Sequence, residues 1–168
     1  GRHASVYAEA DGEGTVNDAI NTPNFDAISK TGVLFNNAFV NAPSCTPCRS
    51  SILSGQHFWR TKRGAILQGA VWDSKIPTWP LLLEENGYHI GFTWKVWSPG
   101  TPADAPYGGR KNSYQKNGSS FNGFSQTVTK LMANGKSLLE SKSVMKGQVL
   151  SNFRDMLKNN SKGKPFAY

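Results

Sequence analysis

The chain is poor in cysteine, poor in acidic residues over its second half, and without any long apolar run. Cys45 and Cys48 are the only cysteines in 168 residues, too few for a disulfide framework. Their C-x-x-C spacing leaves open a redox pair or half of a zinc site. No apolar stretch approaches the roughly 18 residues needed to cross a bilayer, so no membrane span is expected. No Met stands at position 1, and Gly1-Arg2-His3 has nothing of a signal peptide. At the other end, Lys164-Pro165-Phe166-Ala167-Tyr168 stops as an apolar run begins. Both ends read as cut, giving an internal piece of a longer protein. Internal repeats and low-complexity tracts are absent too. What is present, 38% hydrophobic and 11% aromatic residues, suits a folded domain with a core and argues against disorder.

The net charge of +8 is unevenly placed. Residues 1–109 hold 8 Lys/Arg against 9 Asp/Glu, whereas residues 110–168 hold 11 against 2. A basic half can meet nucleic acid, an anionic membrane or a polyanionic sugar. The lysines are scattered and lack stacking aromatics between them, so no nucleic-acid partner is expected and the half reads as a solvated basic face. Asn117-Gly118-Ser119 and Asn159-Asn160-Ser161 fit the glycosylation triplet, a pattern common by chance.

Along the chain, the Gly-, Glu-, Asp- and Ala-rich first twenty residues read as a loop. Thr22-Pro23-Asn24 opens a short helix with Phe25, Ala27 and Ile28 as its buried side, ended by Thr31-Gly32. Residues 33–40 are apolar and β-prone, so a strand is expected. A turn over Asn41-Ala42-Pro43-Ser44 leads to Cys45, and Arg49 to Gly55 reads as a helix closed by glycine. Residues 56–75 mix His57, Trp59, Arg60, Lys62 and Arg63 with glycines, as a functional loop does. Thr78 to Glu85 is an amphipathic helix, Tyr88 to Trp94 a strand, 98–123 an irregular surface insertion, and Ser143 to Lys158 the clearest helix. This alternation is the signature of an α/β domain with a largely parallel sheet.

The chemistry concentrates at Cys45-Thr46-Pro47-Cys48-Arg49. A helix start carries partial positive charge and backbone N–H groups that favour an anion. Pro47 suits a first helical turn because it has no N–H to leave unsatisfied. Arg49 can fold back toward the same point with a fork of donors matched to a pair of sulfate or phosphate oxygens. A nucleophile, an anion site and an arginine therefore converge, which reads as attack on a tetrahedral oxyanion ester.

The pattern C-x-P-x-R followed by Ser-Ser-Ile-Leu-Ser-Gly resembles the signature of the sulfatase family, in which that cysteine is oxidised to Cα-formylglycine. Residues 22–40 are similar to the stretch leading into that signature. Leu81-Leu82-Leu83-Glu84-Glu85-Asn86-Gly87-Tyr88 resembles the helix and strand that follow, so the likeness covers most of 22–97. The wording is nearest to the heparan N-sulfatase (sulfamidase) branch. The resemblance implies an α/β, alkaline-phosphatase-like sandwich with a largely parallel central sheet, incomplete here, so that residues 1–168 are a partial N-terminal catalytic domain truncated at both ends. It implies a sulfuric ester or sulfamate hydrolase acting on sulfated saccharides or small sulfate esters. Cys45 would be the formylglycine nucleophile and a calcium ligand, Arg49 would steady it, and Lys95 would contact the sulfate. Paired aspartates ahead of Gly1 and later Asp/Asn residues would complete the Ca2+ site outside the chain, and the piece alone would be inactive. It further implies a formylglycine-generating enzyme or anaerobic maturase as partner. Export follows as well: to the periplasm or beyond in a bacterium, to the lysosome or outside the cell in an animal, with the signal peptide outside the chain.

Cys48 stands where the family more often has serine, and Trp97 where it usually has histidine. His57, near the signature helix, is a candidate to substitute, and Trp97 a candidate substrate contact. Of the five tryptophans, Trp72, Trp79 and Trp94 read as core or rim, and only Trp59 and Trp97 have neighbours that suit a sugar platform. Two rivals remain: a C-x-P-C thiol redox protein, and a non-catalytic binder of sulfated glycan on the same fold.

Overall fold

A computed structural model describes residues 3–93, 96–97, 106–114, 121–160 and 162–168. The chain forms two units, Gly1–Val40 and Asn41–Tyr168.

The first unit is not the loop expected of its opening. A 3-10 turn over Ser5–Tyr7 runs into α1 (Ala8–Asp11), and a second 3-10 turn spans Val16–Ala19. The second turn is closed by Asp18, whose carboxylate accepts from the backbone N–H of Gly14 at 2.7 Å and of Thr15 at 3.2 Å. α2 (Pro23–Thr31) starts where expected, with Pro23 in its first turn. A small polar hub fixes it. Ser5 Oγ donates to Asp26 Oδ2 at 2.7 Å, Thr22 N–H donates to Ser5 Oγ at 2.9 Å, and Ser5 N–H donates to Thr22 Oγ1 at 3.0 Å.

Two expectations fail in this unit. Phe25 and Ile28 are 52% and 70% exposed, so the apolar side of α2 is not buried. Residues 33–40 form no strand, and Phe39 is 93% exposed. β-propensity records how well a residue packs on a paired, half-buried sheet. Without a neighbouring ladder for its backbone groups, an apolar run stays irregular.

The second unit carries the α/β character. α3 (Cys45–Ser54) is followed by a 3-10 segment, Phe58–Ala65, and then by α4 (Trp79–Glu85) and β1 (His89–Ile90). Within the 3-10 segment Lys62 takes φ 52° and ψ −122°, a region that non-glycine residues rarely enter. Its ammonium pairs with Asp73 at 2.9 Å, and that hydrogen bond, then one from the Lys75 N–H, holds the Asp73 carboxyl below its usual range. β1 pairs in parallel with β2 (Phe166–Ala167), His89 facing Phe166 and Ile90 facing Ala167. A parallel pair needs a long crossover. Here it contains α5 (Phe121–Ala133) and α6 (Leu138–Asn159).

α6 is longer than the Ser143–Lys158 periodicity predicts. Its true start is a capping box in which Ser137 accepts from Glu140 N–H and Glu140 accepts from Ser137 N–H at 2.8 Å. α5 was not expected at all, and it begins inside the supposed insertion. Residues 98–105 and 115–120 of that stretch lie outside the described residues. Between them, 106–114 is packed rather than loose: Tyr107 and Asn112 are buried, and Phe92 bridges to Ser113. The core gathers Leu53, Ala70, Trp72, Trp97 and Tyr107, with Trp72 and Trp97 edge to face at 5.9 Å.

Candidate active site

α3 begins at Cys45. Ser44 is extended and its carbonyl accepts from Cys48 N–H at 3.0 Å, closing the first turn. Pro47 is the third helical residue, a position whose N–H has no intrahelical acceptor. The far end is closed by Gly55 in the left-handed region (φ 68°), with its N–H on the Ser51 carbonyl at 2.9 Å.

The roll of the helix is set by what it buries. Thr46, Pro47, Ser50 and Leu53 are buried and fall on one face. Cys45 is on the opposite face and exposed, while Cys48 is half-buried; neither is in a disulfide. Arg49, one turn beyond Cys45, lies on the same side as it and is half-buried. Arg49 Nη1 donates to the Val96 carbonyl at 3.2 Å. That bond ties the guanidinium to the residue following Lys95 in the chain. Lys95 and Trp94 themselves lie outside the described residues.

Beneath the helix is a buried hydrogen-bonded chain that the sequence did not reveal. Trp97 Nε1–H donates to Ser50 Oγ at 2.9 Å, and Ser50 Oγ–H donates to the Gly64 carbonyl. Trp97 is 2% exposed. Its indole is part of the core, so the structure does not offer it to a ligand as the sequence reading had it. Its role is to hold α3 from below. The one signal for Ser50 was a small polar residue on the face turned away from Cys45.

His57 is exposed and stacks on Trp59 with ring centres 4.3 Å apart. Asn41 organises this corner. Its Oδ1 accepts from Phe58 N–H at 2.9 Å and from Ser51 Oγ at 3.2 Å, which fixes its Nδ2 as the donor to His57 Nδ1 at 2.5 Å. Neutral His57 therefore carries its proton on Nε2. Ser51 is six residues beyond Cys45, about 9 Å of axial rise. His57 thus sits beside the last turn of α3, joined to Ser51 through Asn41.

Among the described residues no three His, Cys, Asp or Glu side chains gather as a metal would need. Likewise, no described helix is long and apolar enough to cross a membrane.

A family model described as Sulfatase matches residues 8–168. The chain belongs to the sulfatase family. Membership brings with it an α/β fold of alkaline-phosphatase type, to which the parallel β1–β2 pair conforms. Among curated sulfatases, the chain is 32% identical over 79 residues to choline-sulfatase of Rhizobium meliloti (strain 1021), covering 47% of this chain and 15% of that protein. It is 34% identical over 82 residues to human N-sulphoglucosamine sulphohydrolase, covering 47% and 16%. With human iduronate 2-sulfatase the identity is 29% over 103 residues, covering 52% and 17%. The matched stretch is thus about a sixth of the length of these sulfatases. No solved structure matches this sulfatase chain.

Proposed function

We propose that the protein is a sulfuric ester or sulfamate hydrolase whose nucleophile is Cys45 after oxidation to Cα-formylglycine. One observation carries the reading: Cys45 stands exposed at the first position of α3, with Arg49 one turn on and on the same side, while the opposite face is locked in the core. The modified side chain would supply a hydrated aldehyde, one hydroxyl attacking sulfur and the other later releasing sulfate. The protein's own part is positional and electrostatic. The start of α3 places partial positive charge beside the reacting oxyanion. Arg49, anchored at Val96, brings its positive charge to the same side of the helix as the developing negative charge. Ser50 and Trp97 keep the helix from rolling.

Lys95 is assigned to the sulfate on the strength of the resemblance. Calcium also rests on the resemblance. The described residues supply no donor set for it beyond Cys45 itself. The substrate class is sulfated saccharide or small sulfate ester, the maturing partner a formylglycine-generating enzyme or anaerobic maturase, and the setting an exported one.

The test is the full-length protein produced with a maturase. Peptide mass spectrometry should show Cys45 converted to the aldehyde. Sulfate release should be measured on an aryl sulfate and on N-sulfated glucosamine, and Cys45→Ala should abolish it. Full conversion with no release from either substrate favours the glycan-binding reading, and a Cys45–Cys48 disulfide in place of the aldehyde favours the redox one.

A further inference from the structure

The second half of the sequence is basic, and the fold concentrates that charge. Lys142, Lys146, Arg154 and Lys158 are all exposed on α6. At 3.6 residues per turn they fall within a sector of about 160° and extend over about 24 Å of helix. The buried Ser141, Asn152 and Met156 occupy the other side. The track continues past the helix into Lys162 and Lys164, also exposed. Among the described residues none of these six joins an ion pair. Lys142 with Lys146, and Arg154 with Lys158, are like charges four apart, an arrangement that weakens a helix. Asp155 is the one acidic residue within this stretch, so the track keeps a large positive surplus.

At the C-terminal end of the track is an open recess of about 160 Å³, lined by His89, Asn159, Asn160, Lys162 and Lys164. Asn160 shapes it. Its Nδ2 donates to the Lys164 carbonyl at 2.6 Å and its Oδ1 accepts from Lys164 N–H at 3.1 Å, fixing the turn that carries both lysines. His89 is held from behind by Tyr114 OH at 2.9 Å from Nε2. Asn159 Nδ2 likewise donates to the Asp155 carbonyl at 2.7 Å, so the ammonium groups of Lys162 and Lys164 are what suit the recess to an anion. Phe153 packs on Phe166 and Tyr168, and the exposed Leu150 and Leu157 share the sector, so the basic groups flank a narrow apolar strip.

We infer that the outer face of α6 and the Asn160 turn form a binding track for a sulfated polysaccharide, engaging the chain beyond the sulfate that reacts. This rests on the hydrolase reading for the choice of sulfated glycan over other polyanions, but it concerns a surface apart from Cys45.

The test uses the full-length protein with Cys45→Ala, so that nothing turns over, and a heparin-derived decasaccharide titrated at several salt concentrations. The protein is made in bacteria so that Asn159 carries no glycan. The combined Lys158→Gln, Lys162→Gln, Lys164→Gln variant should bind about tenfold more weakly, with a shallower dependence on salt. The same three changes in the active protein should leave aryl sulfate turnover unchanged. Equal decasaccharide affinity in the two proteins overturns the inference, as does tighter binding of a DNA duplex or of phosphatidylserine vesicles than of the decasaccharide. An inactive protein that still binds the decasaccharide through these lysines sinks the hydrolase reading alone.

Discussion

Ser5 and Ser50 do similar work in dissimilar surroundings. Each is a serine whose hydroxyl joins two segments, Ser5 linking α1's approach to Thr22 and Asp26, Ser50 linking α3 to Trp97 and Gly64. The first hub is partly open to water, in a unit whose Phe25, Ile28, Val33 and Phe39 remain exposed. The second is fully buried, with Ser50 0% exposed and Trp97 packed on Trp72. Water can replace a lost partner at the first and cannot at the second. The candidate nucleophile is mounted over the hub that tolerates no loss, which is how a helix is held to within fractions of an ångström while its outer face stays accessible.

That contrast can be broken by substitution. Trp97→Ala removes a buried ring and a hydrogen bond together and should destabilise the second unit by about 4 kcal/mol, read as a shift of the urea unfolding midpoint. A shift under a quarter of that would mean the core is not built on this indole. Ser50→Ala leaves the Trp97 N–H and the Gly64 carbonyl unpartnered in the core, for a loss of about 2–3 kcal/mol. Trp97→Phe should recover part of that loss when combined with Ser50→Ala, because the orphaned donor is gone; additive effects in the double variant would disprove the coupling. In the first unit, Ser5→Ala should cost only about 1 kcal/mol, since solvent reaches Asp26 and Thr22. A value equal to that of Ser50→Ala would erase the distinction between the hubs.

The smallest effect concerns Glu140. Hydrogen bonds from the Ser137 backbone, then from its hydroxyl, then from Lys136 hold this carboxyl below its ordinary value of 4.5. Its contribution is therefore complete above that value and disappears as pH falls through the lower folded-state one. The first turn of α6 should fray on acidification, seen as faster amide exchange at Ser137 and Glu140. In Glu140→Gln the fraying should no longer follow pH, and persistent pH dependence in that variant would assign the effect to another group.

Much of this was legible in the residues, and the failures are physical ones. Cys45-Thr46-Pro47-Cys48-Arg49 placed a helix start, α4 followed from its apolar spacing and Asn86-Gly87, and the body of α6 from its periodicity. These are local signals. What the sequence could not show is which apolar surface finds a partner: residues 33–40 have strand composition, yet a strand is a relation between two segments. Trp97 read as a candidate substrate contact because only the folded chain brings it under Ser50, 47 residues away. α5 was hidden because Asn122 and Gly123 in its first turn continue the loop-like composition before it, whereas the Ser137–Glu140 capping box was readable and marks the true start of α6.

Asn41 has a consequence of a mechanical kind. It is the first residue of the second unit, and its single side chain grips Ser51, His57 and Phe58. A pull or a cut on the chain ahead of it is met by that clamp before it can reach the Cys45 turn four residues later. The turn thereby starts from a fixed point, in the way a cable is strapped to its housing just before the solder joint.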